Sequence, residues 1–292
     1  MPLYRLHHST VYDYAEPVVI GTHFIHLFPR ERNGQTVETA QLEILPTPDN
    51  RRDEIDHFGN HTTSASLTTP HKQFSVMLDA VVNVCHPSPP AMEQTPRWEY
   101  IAAWSLEDPE VAEFCLPSRL AEPSTEIAAY AADSFPQGRP ILMAILDLNN
   151  RIFTDMTYQA GVTNNLTTAS QVSRTKIGVC QDYAHFMLAC LRALGLPGRY
   201  VSGYLRTLPP PGQTKRRGAD QSHAWISAWL GPASGWVDFD PTNNLLVCDE
   251  HVTVAWGRDF GDVSPLRGVI LGGGRHTLSV SVDLEEIKPP EA

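Results

Sequence analysis

Hydrophobic positions recur every second residue through the first part of the chain. From Tyr4 to Tyr14 one face collects Tyr4, Leu6, His8, Thr10, Tyr12 and Tyr14, the pattern of a half-buried strand. Ala40, Leu42 and Ile44 alternate with polar neighbours until Pro46 and Pro48 end the run. Phe74, Val76, Leu78, Ala80, Val82 and Val84 make the longest series of this kind. Between the two, Asp56-His57-Phe58-Gly59-Asn60 has the composition of a turn. Residues 1–90 are therefore expected to form a β-rich, antiparallel sandwich-like domain.

After a proline-rich stretch (Pro87, Pro89, Pro90, Pro96) the period lengthens. Asp108 and Pro109 suit the N-cap and first position of a short helix. Ser124–Asp133 is alanine-rich, and Ile141, Leu142, Ile145, Leu148, Ile152 and Phe153 share one face of a longer helix. A polar segment, 159–176, leads to Ile177-Gly178-Val179-Cys180. From Cys180, the residues Ala184, Met187, Leu188, Leu191 and Leu194 define a helix that Gly195 and Pro197 end. Strands return at 199–205, 222–230 and 235–240, the last two a hairpin across Gly231-Pro232-Ala233-Ser234, and again at 251–256 and 277–284. The segment 206–221, with Pro209-Pro210-Pro211 and Lys215-Arg216-Arg217, reads as a solvated loop, or otherwise as a flap facing substrate. Residues 91–292 are expected to form one α+β unit that includes the C-terminal strands.

Charge narrows the function. With 22 Lys+Arg against 33 Asp+Glu among 292 residues, the net charge of −11 argues against nucleic acid or anionic membrane as a partner. The start, Met1 to His8, lacks the apolar core of a secretion signal, and a cytoplasmic location is expected. Cys85, Cys115, Cys180, Cys190 and Cys248 are irregularly spaced, which fits neither a disulfide framework nor a structural zinc site. Four of them read as small core hydrophobes.

Cys180 is the exception. It opens a helix, where free N–H groups favour a thiolate, and Gly178 before it permits a tight turn. A nucleophilic thiol needs an imidazole, and the imidazole needs an orienting carboxylate. His223 begins the hairpin and Asp240 ends it. If Leu230 pairs with Gly235, then Trp225 faces Asp240, Ser227 faces Asp238, and His223, Trp225, Asp238 and Asp240 share one face. Asp240 is then diagonal to His223, roughly 7–8 Å away between backbones, and is a better orienting acid than Asp238.

The segments Gly178-Val179-Cys180-Gln181-Asp182-Tyr183-Ala184-His185, Arg199-Tyr200-Val201-Ser202-Gly203-Tyr204, His223-Ala224-Trp225 and Gly235 to Asn243 resemble the bacterial transglutaminase-like family. The strand Tyr4–Tyr14, Leu27-Phe28-Pro29-Arg30 and Asp56–Asn60 are similar to that family's N-terminal region, and Ala255 to Val263 to its C-terminal signature. The resemblance covers most of the chain, and only loosely residues 90–150. It implies a papain-like core with a triad of Cys180, His223 and Asp240.

The implied reaction is acyl transfer from a protein, peptide or other amide through a thioester. Water as acceptor gives hydrolysis, which is favoured, and an amine gives transamidation. The Cys180 backbone N–H is one oxyanion donor, with Gln181, Tyr158 and Trp225 the further candidates for oxyanion or substrate contact. No acidic calcium loop is present in the sequence, so no metal or cofactor is expected. The alternative is a noncatalytic binding module on the same scaffold. Asp182 and His185 are expected to pack the helix, Asp56, His57 and His61 to hold a turn, and Arg258 to bridge a carboxylate in its loop.

Overall fold

The computed structural model describes residues 2–207 and 220–287. The opening alternation folds as predicted but over a longer span. Strand β1 runs Leu3–Ile25, and Tyr4, Leu6, His8, Thr10 and Tyr14 all point inward and are buried. Strands β2 (Gln35–Leu45), β3 (Asn50–Ile55), β4 (His61–Leu67) and β5 (His71–Val84) follow. All six apolar positions predicted on β5 are buried. The middle of the chain holds helices α1 (Trp98–Trp104), α2 (Pro109–Ala112), α3 (Thr125–Ala132) and α4 (Ile141–Asp155). Then come β6 (Thr157–Tyr158), α5 (Ala169–Thr175), β7 (Ile177–Gly178) and α6 (Cys180–Ala193). Strands β8 (Gly198–Leu205), β9 (Gln221–Trp229), β10 (Trp236–Asp240), β11 (Leu245–Leu246) and β12 (His251–Gly257) complete the second half. Helix α7 (Phe260–Val263) and strands β13 (Leu266–Gly272) and β14 (His276–Glu286) end it.

The first sheet is antiparallel, in the order β2-β5-β1-β4-β3, with β13 and β14 also on β1. It curls at β1, whose register against β5 shifts between Asp13 and Val18. Before the shift β1 lies between β5 and β14, and after it between β4 and β13. The last two strands thus join the N-terminal sheet rather than the C-terminal unit in which the sequence placed them. A strand of 23 residues leaves one edge of unpaired N–H and C=O groups that β2–β5 do not cover, and 266–286 covers it.

The second sheet runs β11-β10-β9-β8-β12. Helix α6 lies against β8 and β9. The sequence predicts one apolar series along it, Ala184 to Leu194, yet every residue from Gln181 to Arg192 is buried. Arg192 is accommodated because its guanidinium donates to the carbonyls of Phe114, Ala121, Gly198 and Arg258 and to the Ser118 hydroxyl.

Asp108 caps α2 as the sequence suggested, and Ser124 caps α3. Phe153 departs from the expectation for α4 and is exposed near its end. The polar 159–176 segment also contains a helix, α5, held by a capping box of Thr168 and Gln171.

The two halves meet through polar contacts. His8 Nδ1 lies 3.0 Å from the Tyr204 hydroxyl, and Gln35 exchanges side-chain hydrogen bonds with the Thr253 backbone. Asp56 and Asn60 close the 56–60 turn, and Asn60 Nδ2 donates to the Trp256 carbonyl. Arg258 bridges Asp262, as expected. Most of the predicted 206–221 loop lies outside the described residues. Among the described residues no helix is long and apolar enough to cross a membrane.

Candidate active site

Cys180 is the first residue of α6 and is part-buried. The backbone before it is pinned by the helix it opens, because Asp182 Oδ2 accepts from the Val179 N–H at 2.8 Å and from the Thr163 hydroxyl at 2.7 Å. Gly178 is required for a different reason than expected. A Cβ there would sit 2.6 Å from Asp182 Cβ, so the glycine serves close approach rather than an unusual turn. His185, one turn further, is fully buried, accepts from the Phe260 N–H, and is pushed down to about 3 by burial.

Strands β9 and β10 pair in the predicted register, with Trp229 opposite Trp236 and Ser227 opposite Asp238. That pairing brings His223 Nε2 to 2.8 Å from Asp240 Oδ2. The other ring nitrogen is left for the thiol of Cys180, which stands near enough to act on the imidazole. Burial alone would lower the His223 pKa, but the hydrogen bond to Asp240, the neighbouring Cys180 and the Asp240 charge outweigh it and raise it to about 10. Burial would raise Asp240, but the donors on it win and hold its carboxyl well below the ordinary range. Asp240 Oδ1 meanwhile accepts from the backbone N–H groups of Thr242 and Asn243, an Asx-type turn that fixes the carboxylate plane.

The other candidates fall in different places. Tyr158 is exposed on β6, which runs parallel to β7 with Tyr158 opposite Gly178, and it stands near enough to feel the Cys180 charge. Gln181 is buried on α6. Trp225 corrects its reading as a substrate contact. It is fully buried, and its Nε1–H is directed at Asp238 at 3.4 Å. Gly203 makes room for that ring, since a Cβ there would meet the indole at 2.4 Å. Asp238 serves Arg32, whose guanidinium is 2.5 Å away, and not His223.

Two further groups on Asp240 were given no role from the sequence. Asn243 Nδ2 donates to Oδ2 at 2.7 Å, and His251 Nε2 lies 3.2 Å from the same oxygen. The Asp-Pro-Thr-Asn run could have signalled the first as an Asx turn, whereas His251 arrives only through the pairing of β12 with β8. Cys248, expected in the core, is exposed with its sulfur 3.7 Å from His251 Nδ1. The ligating atoms of His223, Asp240 and His251 lie within 4.8 Å of one another, but each imidazole–carboxylate approach is already a hydrogen bond.

A thiol opening a helix that packs against an antiparallel sheet carrying a paired imidazole and carboxylate fits a papain-like transglutaminase core. The chain belongs to the bacterial transglutaminase-like family. Residues 4–83 match the bacterial transglutaminase-like N-terminal region and residues 129–241 the transglutaminase-like superfamily core. An uncharacterized protein of Mycobacterium tuberculosis is 38% identical over 288 residues, covering 96% of this chain and 92% of the relative. A protein-glutamine gamma-glutamyltransferase of Pseudomonas aeruginosa is 41% identical over 69 residues, 23% of this chain and 10% of that protein. A solved structure named "Putative Cysteine Protease from Cytophaga hutchinsonii" superposes with a TM-score of 0.81 at 22% identity, over 100% of this chain and 92% of its own.

Proposed function

We propose that the protein is a cysteine-dependent enzyme acting on amides, with Cys180 as nucleophile, His223 as base and acid, and Asp240 as the orienting carboxylate. The observation that carries this reading is His223, hydrogen-bonded through Nε2 to the buried Asp240 and close enough to Cys180, the first residue of α6, to be acted on by it. The family and the names of its relatives point to the same chemistry. The Cys180 sulfur attacks the amide carbonyl carbon, forming a C–S bond, while His223 holds the thiol proton. His223 then gives that proton to the leaving nitrogen as the C–N bond breaks, leaving a thioester. Water attacks the thioester, its proton passes to His223, and the C–S bond breaks to release acid and thiol.

The oxyanion meets the backbone N–H of Cys180, which as the first residue of α6 has no intrahelical partner. The exposed Tyr158 hydroxyl supplies the second donor. Hydrolysis is the proposed outcome, on protein, peptide or other amide substrates. All five cysteines are free, the state a reducing, cytoplasmic setting preserves.

The test incubates the full chain with dimethylated casein, with and without cadaverine, and follows ammonia, new amino termini and amine incorporation separately. Ammonia or new termini without cadaverine support hydrolysis, and amine incorporation alone moves the reading to transamidation. Product formation unchanged in Cys180→Ala overturns the nucleophile assignment.

A further inference from the structure

His223 does not have Asp240 to itself. One oxygen, Oδ2, accepts from His223 Nε2, Asn243 Nδ2 and His251 Nε2 together. His251 opens β12, is fully buried, and stands edge-on to Trp225 with ring centroids 5.2 Å apart at 80°. The indole prevents it from swinging away. On its far side Nδ1 meets the Cys248 sulfur at 3.7 Å. The titratable groups facing His251 are therefore His223 and Asp240 from β9 and β10, Cys248 from the preceding turn, and His86, whose Nε2 lies 3.3 Å from the His251 carbonyl. Glu250 acts on Cys248 in turn.

We propose that His251 is a positioning residue for the Cys180–His223–Asp240 site, dividing the charge of Asp240 Oδ2 between two imidazoles and so setting how tightly His223 is held. This rests on the enzymatic reading above. A donor to a carboxylate oxygen disperses its charge and leaves less for the next donor, an effect enlarged where both rings are out of water. The two ring centroids are 6.1 Å apart, so two full positive charges on one carboxylate repel. His223 takes the charge first, because Cys180 acts on it as well as Asp240. When His251 is neutral, its Nε2–H donates to Asp240 and its Nδ1 lone pair faces the Cys248 sulfur. The chemical consequence is a His223 that binds its proton firmly enough to hold it, yet loosely enough to return it to a leaving nitrogen.

The experiment is histidine-selective NMR of the full chain, comparing wild type with His251→Phe and, because that position is buried, with Cys248→Ala at an exposed one. In wild type, two hydrogen-bonded Nε2 protons are expected, from His223 and His251. In His251→Phe the His223 proton moves downfield and persists to higher pH, by roughly half a pH unit, a fraction of one charge-assisted hydrogen bond. In Cys248→Ala it moves the same way by less. An unchanged His223 proton in a folded His251→Phe, or in Cys248→Ala where the first variant does not fold, overturns the proposal. A wild-type spectrum without any His223 proton shared with Asp240 instead overturns the enzymatic reading on which it rests.

Discussion

His223 and Asp240 meet across the β9–β10 ribbon at 2.8 Å, while Asp238, two residues earlier on the same face, turns to Arg32 at 2.5 Å. One strand thus presents two acids with separate tasks. Asp240 is tied to the imidazole, and Asp238 is the anion that allows the part-buried Arg32 to cross from the N-terminal sheet. Burial would raise the carboxyl of Asp238, but Arg32 outweighs it and holds it below its ordinary value.

Exchanging each acid for its amide separates the two roles. Asp240→Asn is expected to lower kcat by about 10²–10⁴-fold, because the amide offers the imidazole the wrong partner for its Nε2–H. Asp238→Asn leaves the Arg32 charge without its anion and is expected to cost about 3–5 kcal/mol of stability. Urea denaturation and amide turnover on both variants check this. A large turnover loss with full stability in Asp238→Asn would reverse the assignment.

The pH dependence of stability follows from the same pair. His223 has an ordinary value of 6.5 and is raised to about 10 in the fold. Below 6.5 folded and unfolded forms are both protonated and its contribution is complete. As pH rises toward 10 the unfolded form alone has lost its proton, so the contribution shrinks and is gone above 10. Asp240 is lowered from 3.8, so its share is present above that value and is lost as pH falls further. Between pH 6.5 and 9.5 the wild type is expected to lose on the order of a few kcal/mol relative to His223→Gln. Urea midpoints for both proteins at the two pH values are the measurement, and parallel curves would contradict it.

The ribbon was legible because its register depends on one local rule, alternation of side chains about a short turn. Leu230 does pair with Gly235, and the predicted Ser227–Asp238 opposition follows from it. The six inward positions of β5 were legible on the same ground. What lay beyond reach depends on contacts distant in sequence. The pairing of β13 and β14 with β1 joins residues more than two hundred positions apart, and nothing in the alternation of 266–286 says which sheet it completes. His251 is hidden for the same reason, since a lone histidine opening a strand looks alike whether it meets a carboxylate or solvent. The all-round burial of α6 is a tertiary fact too, because Arg192 carries a charge into the core only where four carbonyls are already waiting.

Tyr158 is expected to act on the transition state and not on binding. Its strand pairs with Gly178, two residues before the nucleophile, and its ring is exposed. Burial, followed by the nearby Cys180 charge, raises its pKa, so the hydroxyl keeps its proton at neutral pH and remains a donor. Tyr158→Phe should lower kcat by about 10²-fold with KM little changed, as loss of one oxyanion donor does. A change in KM alone would make Tyr158 a substrate contact instead.

Gly178→Ala tests how the thiol is aimed without touching the triad. The added methyl would lie 2.6 Å from Asp182 Cβ and 2.7 Å from Oδ2, the oxygen that receives the Val179 N–H and the Thr163 hydroxyl. Since real Cβ atoms do not approach so closely, the Asp182 side chain must shift, and the first turn of α6 loses its anchor immediately before Cys180. Overpacking of this kind costs about 1–3 kcal/mol. The loss of amide turnover is expected to exceed what that destabilisation explains, because a displacement of ~1 Å at a reacting atom costs about 10²-fold. Iodoacetamide labelling of Cys180 at pH 6, located by mass spectrometry, reads the displacement directly, and it should slow in Gly178→Ala while the far-ultraviolet circular dichroism stays that of the wild type. Labelling at the wild-type rate would mean that α6 holds its thiol in place without Asp182.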